Sequence, residues 1–305
     1  MSHAEGIHDH PTLKLGKRPP PRKATLNVAE FFKVAPTHPL VDVAPPISYP
    51  MDRNDVAGDC VVAAVDHALQ AQAALLGTPR QNWTDAQLLA FYQTQNPGFR
   101  SWSDGGGPDD GGMYVQQFLE HLVSVGEILA FGAVDHDSED MLKAGVYVGL
   151  AIVTGEVLDV AQQAQAEWDY VPGSGTWGGH ATCSVAYDPD RQGIVTWGSL
   201  IQATDAFVEH QVDEAWLLLT TDLVNHPGFR NAFDLPAFAQ AIADLTNGKV
   251  VVPVDPIPPA PGPDVDPLAD FPFKALDHWA SRPHVFRSAT VARNQYRAWK
   301  SRHGL

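Results

Sequence analysis

Cys60 and His180 are the two residues of this 305-residue sequence whose positions favour nucleophilic chemistry. Cys60 stands in the first turn of a predicted helix, where the helix dipole lowers the pKa of a thiol and favours the attacking thiolate. His180 follows a stretch with four glycines in seven residues and opens an apolar strand, which would hold a general base rigidly. Each residue alone also has a plainer interpretation, a buried cysteine in an apolar helix and a histidine at a strand end.

The elements that would position these residues divide into a helical first half and a strand-rich second half. Three helices are predicted over 58–76, 84–93 and 113–125, with a glycine-rich loop at 103–112 before the third. Strands are predicted over 127–134, 147–155, 181–188, 192–198 and 214–221, with a short helix at 138–145 and a later helix at 235–246. Helices followed by antiparallel strands indicate an α+β fold.

Several short motifs follow one another in a recognisable order. Asn54 lies six residues ahead of Cys60, Gly58-Asp59-Cys60 opens the long helix, and the loop SDGGGPDDGG precedes an amphipathic helix. Further along come LKAGVYVGLAIVTG, GGHA, VTWGS and DEAWLLL. In this order the motifs resemble the papain-like cysteine peptidase family, in its divergent bacterial and phage form. The resemblance covers residues 50–222, about 173 of the 305.

This resemblance implies a papain-like two-subdomain fold of the α+β class. A helical part would carry the cysteine on its central helix, and an antiparallel sheet or barrel part would carry the histidine. The implied activity is that of a thiol hydrolase, a peptidase or amidase, with Cys60 as nucleophile, His180 as base and Asn54 as oxyanion donor. The peptide or protein substrate would lie in a cleft lined by Gly58, Asp59, Gly106, Gly107, Gly179 and Trp197.

The sequence departs from the family pattern at two of the catalytic positions. The asparagine that orients the family's histidine falls on Val195, which cannot hydrogen-bond, while Thr196 takes the neighbouring position and joins the candidate catalytic residues. Asn54 replaces a glutamine and is one methylene shorter, so its amide reaches less far. Loss of a histidine orienter lowers the activity of other triads without abolishing it.

The chain divides into a central domain with appendages at both ends. We expect a proline-rich extended arm at 1–50, a papain-like domain at 51–248, a proline-rich linker at 249–270 and a basic helical tail at 271–305. Charge is segregated in the same way. The net charge is +3 over residues 1–23 and +6 over residues 281–305, so the residues between them carry −25, and the whole chain carries −16. The two basic ends are either solvated tails or segments that dock on an acidic partner, including another copy of this chain.

Composition excludes several classes of protein. An acidic body repels phosphate, so nucleic acid is not the expected partner of the body. Two cysteines cannot supply a disulfide scaffold or a four-cysteine zinc site. Neither a secretory signal peptide nor a transmembrane segment is predicted, so we expect cytoplasmic synthesis and no membrane partner.

No cofactor and no metal ion is predicted. His3, His8 and His10 lie in a tail that offers no fixed geometry. Asp104, Asp109 and Asp110 lack the spacing of a calcium loop and fit better as part of a cleft wall. Cys183 is three residues past His180, so it faces the other side of the strand and is predicted to lie in the core.

Two functions of different classes stay open at this point. One is an active thiol hydrolase, carried in this reading on a phage particle. The alternative is a catalytically silent papain fold that serves as a structural component of a virion or another homo- or hetero-oligomeric assembly, docking through its basic arms. A protease inhibitor or carbohydrate-binding module on the same fold has no sequence feature of its own.

Overall fold

The computed structural model describes residues 13–21, 25–33, 47–78 and 80–254. The predicted basic tail and the linker beyond residue 254 lie outside these ranges, as do the three histidines near the N-terminus. None of the helices in the described ranges is both long and apolar enough to cross a membrane.

Helix α1, Cys60–Leu76, is the central element of the helical part. It packs against the sheet on one side and against two further helices, α2 (Asp85–Gln93) and α3 (Val115–Val125), so its residues from 60 to 73 are all buried. Gly77 ends α1 with a φ of 72°, a left-handed conformation that glycine adopts without a Cβ clash. All three predicted helices are confirmed, although the first and the third begin two residues later than expected.

Seven strands of the described residues form one sheet in the order β1-β7-β2-β4-β5-β6-β3. Neighbouring strands are antiparallel except for the parallel pair β3 and β6. One face packs on α1 through residues such as Val153 and Cys183, as predicted for Cys183, and the other covers a second core around Trp168. The strands are β1 (Ala130–Ala133), β2 (Ile152–Asp159), β3 (Glu167–Trp168), β4 (Thr176–Tyr187), β5 (Arg191–Thr196), β6 (Ser199–Thr204) and β7 (Val212–Leu219).

The strand predicted over 147–155 is wrong in its first part. Helix α4, Glu139–Gly149, begins after Ser138, whose side chain accepts from the Met141 amide, and continues through Tyr147. Val146 and Val148 favour strands, but their burial on both sides of α4 outweighs that preference. The chain then turns at Leu150, with a φ of 64°, and β2 begins at Ile152.

Trp197 lies in a two-residue turn and not in the strand predicted over 192–198. Strand β5 ends at Thr196, and Trp197 and Gly198 have φ angles of 44° and 71°, which is typical of a tight hairpin turn. The turn leads into β6, which was not predicted because its residues are half exposed and show no clear alternation.

The remaining helices cover the sheet and hold the second part of the N-terminal arm. They are α5 (Asp205–Gln211), α6 (Thr221–Asn225), α7 (Pro227–Ala232) and α8 (Leu235–Leu245). A 3₁₀ turn in the arm, Val28–Phe31, packs on α8, with the rings of Phe31 and Phe238 5.3 Å apart. The arm is therefore not extended throughout, because Phe31 is partly buried against this helix.

Gln72 joins α1 to the ends of two other elements, which gives a test of this packing. Its Nε2 donates to Gly149 O at 2.8 Å and Leu218 O at 3.1 Å, all within the buried core. Gln72→Leu keeps the side-chain volume but leaves both carbonyls without that donor. We therefore expect the free energy of unfolding, measured in urea, to be about 2–3 kcal/mol lower. Gln81→Leu, at an exposed position, is the control and should change stability little. Equal stability of the two variants would contradict this role.

Candidate active site

The thiol of Cys60 lies at the N-terminus of α1, fully buried between the helix and the sheet. Backbone amides of Ala181, on β4, and of Gly16, in the N-terminal arm, donate toward Sγ. Burial nevertheless raises the pKa of Cys60 to about 12, and the nearby acidic side chains act in the same direction. The lowered pKa expected from the helix dipole is therefore not found in this closed arrangement, because desolvation outweighs the dipole.

His180 lies on β4, next to Ala181, and its ring is held on two sides. Nε2 is 2.7 Å from Thr196 Oγ1, and the ring stacks on Trp197 with a centroid distance of 4.2 Å. Nδ1 has no hydrogen-bond partner among the described residues. Burial, aided by the charge of Lys17, lowers the pKa of His180 to about 3, so the imidazole is neutral at pH 7.

Thr196, and not the residue aligned with the family's asparagine, occupies the place beside the histidine ring. Val195 points to the other face of the sheet and is buried against α1. Because side chains alternate along a strand, the one-residue shift puts the Thr196 hydroxyl on the face of β5 that carries His180 on β4. The ring thus has a polar neighbour, although the hydroxyl is smaller than a carboxamide.

Asn54 places its side-chain amide next to a peptide carbonyl. Nδ2 lies 3.2 Å from Lys14 O and 3.2 Å from Ala57 O. The indole Nε1 of Trp197 also donates to Lys14 O, at 3.2 Å. Two candidate site residues from opposite halves of the fold therefore converge on one carbonyl of the N-terminal arm.

Asp110 ties the glycine-rich loop to the residues just before Cys60. Its Oδ1 accepts from the Gly58 amide at 2.9 Å, and its Oδ2 accepts from the Gly106 amide at 2.6 Å. Gly107 bonds back to Asp104 within the loop, so it braces the loop. Asp59 is fully buried, and this burial raises the pKa of its carboxyl well above the usual range.

Residues 13–18 of the arm, which we call the cleft segment, run between the helical part and the sheet. On the sheet side the Lys17 amide donates to Gly179 O at 3.1 Å. On the helical side the Met113 amide donates to Gly16 O at 2.7 Å, and the Arg18 amide donates to Met113 O at 2.7 Å. The cleft segment therefore lies over Cys60 and fills the cleft predicted for substrate.

The fit of the cleft segment depends on the absence of a side chain at Gly16. A Cβ at this position would lie 1.7 Å from Gly58 O, far inside van der Waals contact. Any other residue at position 16 would push the segment away from the N-terminus of α1.

A buried carboxylate, Glu156, lies directly opposite His180 in the pairing of β2 with β4. Its Oε1 accepts from the hydroxyls of Thr154 at 2.5 Å and Thr182 at 2.8 Å, whereas Oε2 has no hydrogen-bond partner among the described residues. Burial raises the pKa of Glu156 to about 7, although the charge of Lys17 and the two hydroxyls act against this rise.

Sequence reasoning did not identify the cleft segment, Met113 or Glu156 as parts of the site. For the basic N-terminal arm the sequence leaves two alternatives open, a solvated tail or a segment that docks on an acidic partner, and its described part contacts the body of its own chain. A glutamate in the otherwise apolar run IVTGEVL was the one local signal for Glu156. Within the described ranges, no group of three or more histidine, cysteine or acidic side chains could hold a metal ion.

Comparison with known proteins identifies similar solved structures only. No protein-family model matches the chain, and no curated protein matches it. Xylellain, a cysteine protease from Xylella fastidiosa, is 16% identical with a TM-score of 0.52, over 69% of this chain and 97% of that one. The Carica candamarcensis cysteine protease CMS1MS2, solved in complex with E-64, is 13% identical with a TM-score of 0.35, over 58% and 94%. The chain has an α+β fold of the papain-like type.

The proton on Glu156 gives a prediction about stability and pH. In the folded chain the carboxyl keeps its proton up to about pH 7, whereas its ordinary pKa is 4.5. Between these values the folded state binds more protons than the unfolded state, so stability falls as pH rises. Glu156→Gln removes this contribution. We therefore expect its free energy of unfolding, measured in urea, to fall less steeply with pH, with a slope that is smaller by up to about 1.4 kcal/mol per pH unit.

The control for this measurement is Glu127→Gln, which changes an exposed glutamate outside the site. Its pH dependence should match that of the unsubstituted chain. If Glu156→Gln has the same pH dependence as the unsubstituted chain, Glu156 is not protonated in the fold.

Proposed function

We propose that this protein is a thiol hydrolase, a peptidase or amidase, held in a closed state by its own cleft segment. The observation that carries the proposal is the carbonyl of Lys14, which accepts from the Asn54 amide and from the indole of Trp197, the residue that stacks on His180. A peptide therefore already lies against the group that would stabilise an oxyanion. The fold that the chain shares with xylellain supports the same class of chemistry.

Hydrolysis would begin when substrate replaces the cleft segment and water reaches the site. Rehydration lowers the Cys60 pKa, so the thiol can pass its proton to His180 Nδ1, while Nε2–H donates to Thr196 Oγ1. The thiolate attacks the substrate carbonyl, and the oxyanion accepts a hydrogen bond from Asn54 Nδ2.

The two products leave in separate steps. The tetrahedral intermediate collapses, the C–N bond breaks, and the departing amine takes the proton from His180. Water then attacks the thioester and gives a proton to His180, after which the acid is released and the Cys60 thiol forms again. Thr196 acts throughout as a positioning residue for the ring.

Alkylation of Cys60 tests whether the cleft segment controls its reactivity. In the unsubstituted chain we expect slow reaction with iodoacetamide at pH 7, because the thiol is buried and protonated. Gly16→Ala introduces the clash with Gly58 O, which displaces the segment and exposes the thiol. We expect Cys60 to react at least tenfold faster in this variant, measured by mass spectrometry of the modified peptides.

Cys183 is the internal control, since it is the other free cysteine and is fully buried in the core. Fast labelling of Cys60 with Cys183 still protected means that only the cleft has opened, whereas labelling of both means unfolding. The opened variant should also cleave a mixed peptide library, and Cys60→Ala in the same background should not. An opened chain in which Cys60 stays inert contradicts the proposed function.

A second function is a catalytically silent structural component, of a virion or another assembly. It is favoured by the lack of a hydrogen-bond partner for His180 Nδ1 among the described residues and by the threonine in place of an asparagine. For this function the opened variant would bind peptides without cleaving them. The full-length chain would also form oligomers in light scattering through its basic ends.

A further inference from the structure

The side chain of Lys17 is buried in the site, which is rare for a lysine. It is 1% exposed, and its Nζ lies 2.5 Å from Asp213 Oδ1 and 3.3 Å from Glu214 Oε1. Lys17 neighbours Gly16, whose amide donates toward Cys60 Sγ, and its own amide donates to Gly179 O. Lys17 is therefore the residue next to Gly16, which lies over Cys60.

The pocket that holds this lysine is built by the sheet and not by the cleft segment. Gly155 on β2 forms its floor, because a Cβ there would lie 2.7 Å from Lys17 Cδ and 2.6 Å from Glu214 Cγ. Glu214 is 4% exposed, and its Oε2 accepts from the Trp216 indole at 2.8 Å. The Oε1 atom of Glu214 faces the Lys17 ammonium.

We propose that this pocket, defined by Gly155, Asp213 and Glu214, binds a lysine or arginine side chain of the substrate. The inference rests on the proposed function and names the class of side chain that the site selects. Lys17 is the internal occupant in the closed chain. When the cleft segment leaves, a substrate cation takes its place close to Cys60.

The balance of charge explains why the pocket would accept a cation again. Two carboxylates face one ammonium, and removal of the lysine leaves both without this counter-ion, while Glu214 keeps the hydrogen bond from the Trp216 indole. Two neighbouring carboxylates without a counter-ion repel each other, so a cationic side chain stabilises the opened pocket more than a neutral one. A glutamate in the substrate would be repelled.

Peptide binding in trans tests the pocket without any need for turnover. The protein is the full chain with Gly16→Ala, which opens the cleft, and Cys60→Ala, which prevents reaction. The probes are a peptide with the sequence of residues 11–20 and the same peptide with norleucine in place of the second lysine. By titration calorimetry we expect the lysine peptide to bind about tenfold or more tightly than the norleucine peptide.

Substitution of the pocket residues should remove this difference. Glu214→Gln keeps the shape and removes the charge, so both peptides should then bind with similar affinity. Glu127→Gln, at an exposed site, is the matched control and should keep the preference. If Gly16→Ala fails to fold, Lys17→Glu opens the cleft by placing a negative charge in the acidic pocket. Equal binding of the two peptides, or no binding of either, overturns the inference.

Turnover by the opened chain with Cys60 intact separates this inference from the proposed function. In a peptide library we expect kcat/KM to favour lysine or arginine over norleucine at one position by about tenfold, and Glu214→Gln to remove the preference. Cleavage without such a preference overturns the pocket and leaves the hydrolase. Selective binding of the lysine peptide by a chain with an inert Cys60 overturns the hydrolase and leaves the pocket.

Discussion

The cleft segment pairs its backbone with both halves of the fold, and the state of the whole site depends on this contact. Gly16 lies against Gly58, and Lys17 and Arg18 pair with the sheet and with Met113. Because these contacts exclude water, they bury Cys60 and His180 and keep both in their neutral forms. The same contacts bring Lys17 into the acidic pocket, so closure and charge neutralisation occur together.

In the proposed function, the closed site holds polar groups suited to catalysis in an environment that prevents it. Asn54 and Trp197 hold a peptide carbonyl, and Thr196 holds the histidine ring. A buried thiol with a pKa near 12 carries almost no thiolate at pH 7, and His180 Nδ1 has no hydrogen-bond partner among the described residues. The control that we propose acts by desolvation and needs no change in the candidate catalytic groups themselves, because displacement of six residues would restore their hydration.

The sequence predicted the elements with strong local patterns and missed the contacts between distant segments. The Ala/Val-rich run with Gly77 at its end identified α1. The glycines before His180 indicated a core strand, but its predicted start was wrong, because β4 begins at Thr176. The turn at Trp197 and Gly198 was missed, although it decides which side chain of β5 reaches His180. The seating of the cleft segment leaves no periodic pattern, since it depends on a single glycine and on partners at least 40 residues away.

Hydrogen exchange at the amides of Lys17 and Arg18 tests the central claim most directly. Both amides donate to carbonyls on opposite walls of the cleft, Gly179 O at 3.1 Å and Met113 O at 2.7 Å. In the full-length chain at neutral pH we expect both amides to exchange slowly, and we expect Gly16→Ala to abolish this protection while the amides of α1 stay protected. Exchange at the rate of an exposed, unpaired amide in the unsubstituted chain would mean that the cleft segment does not close the site.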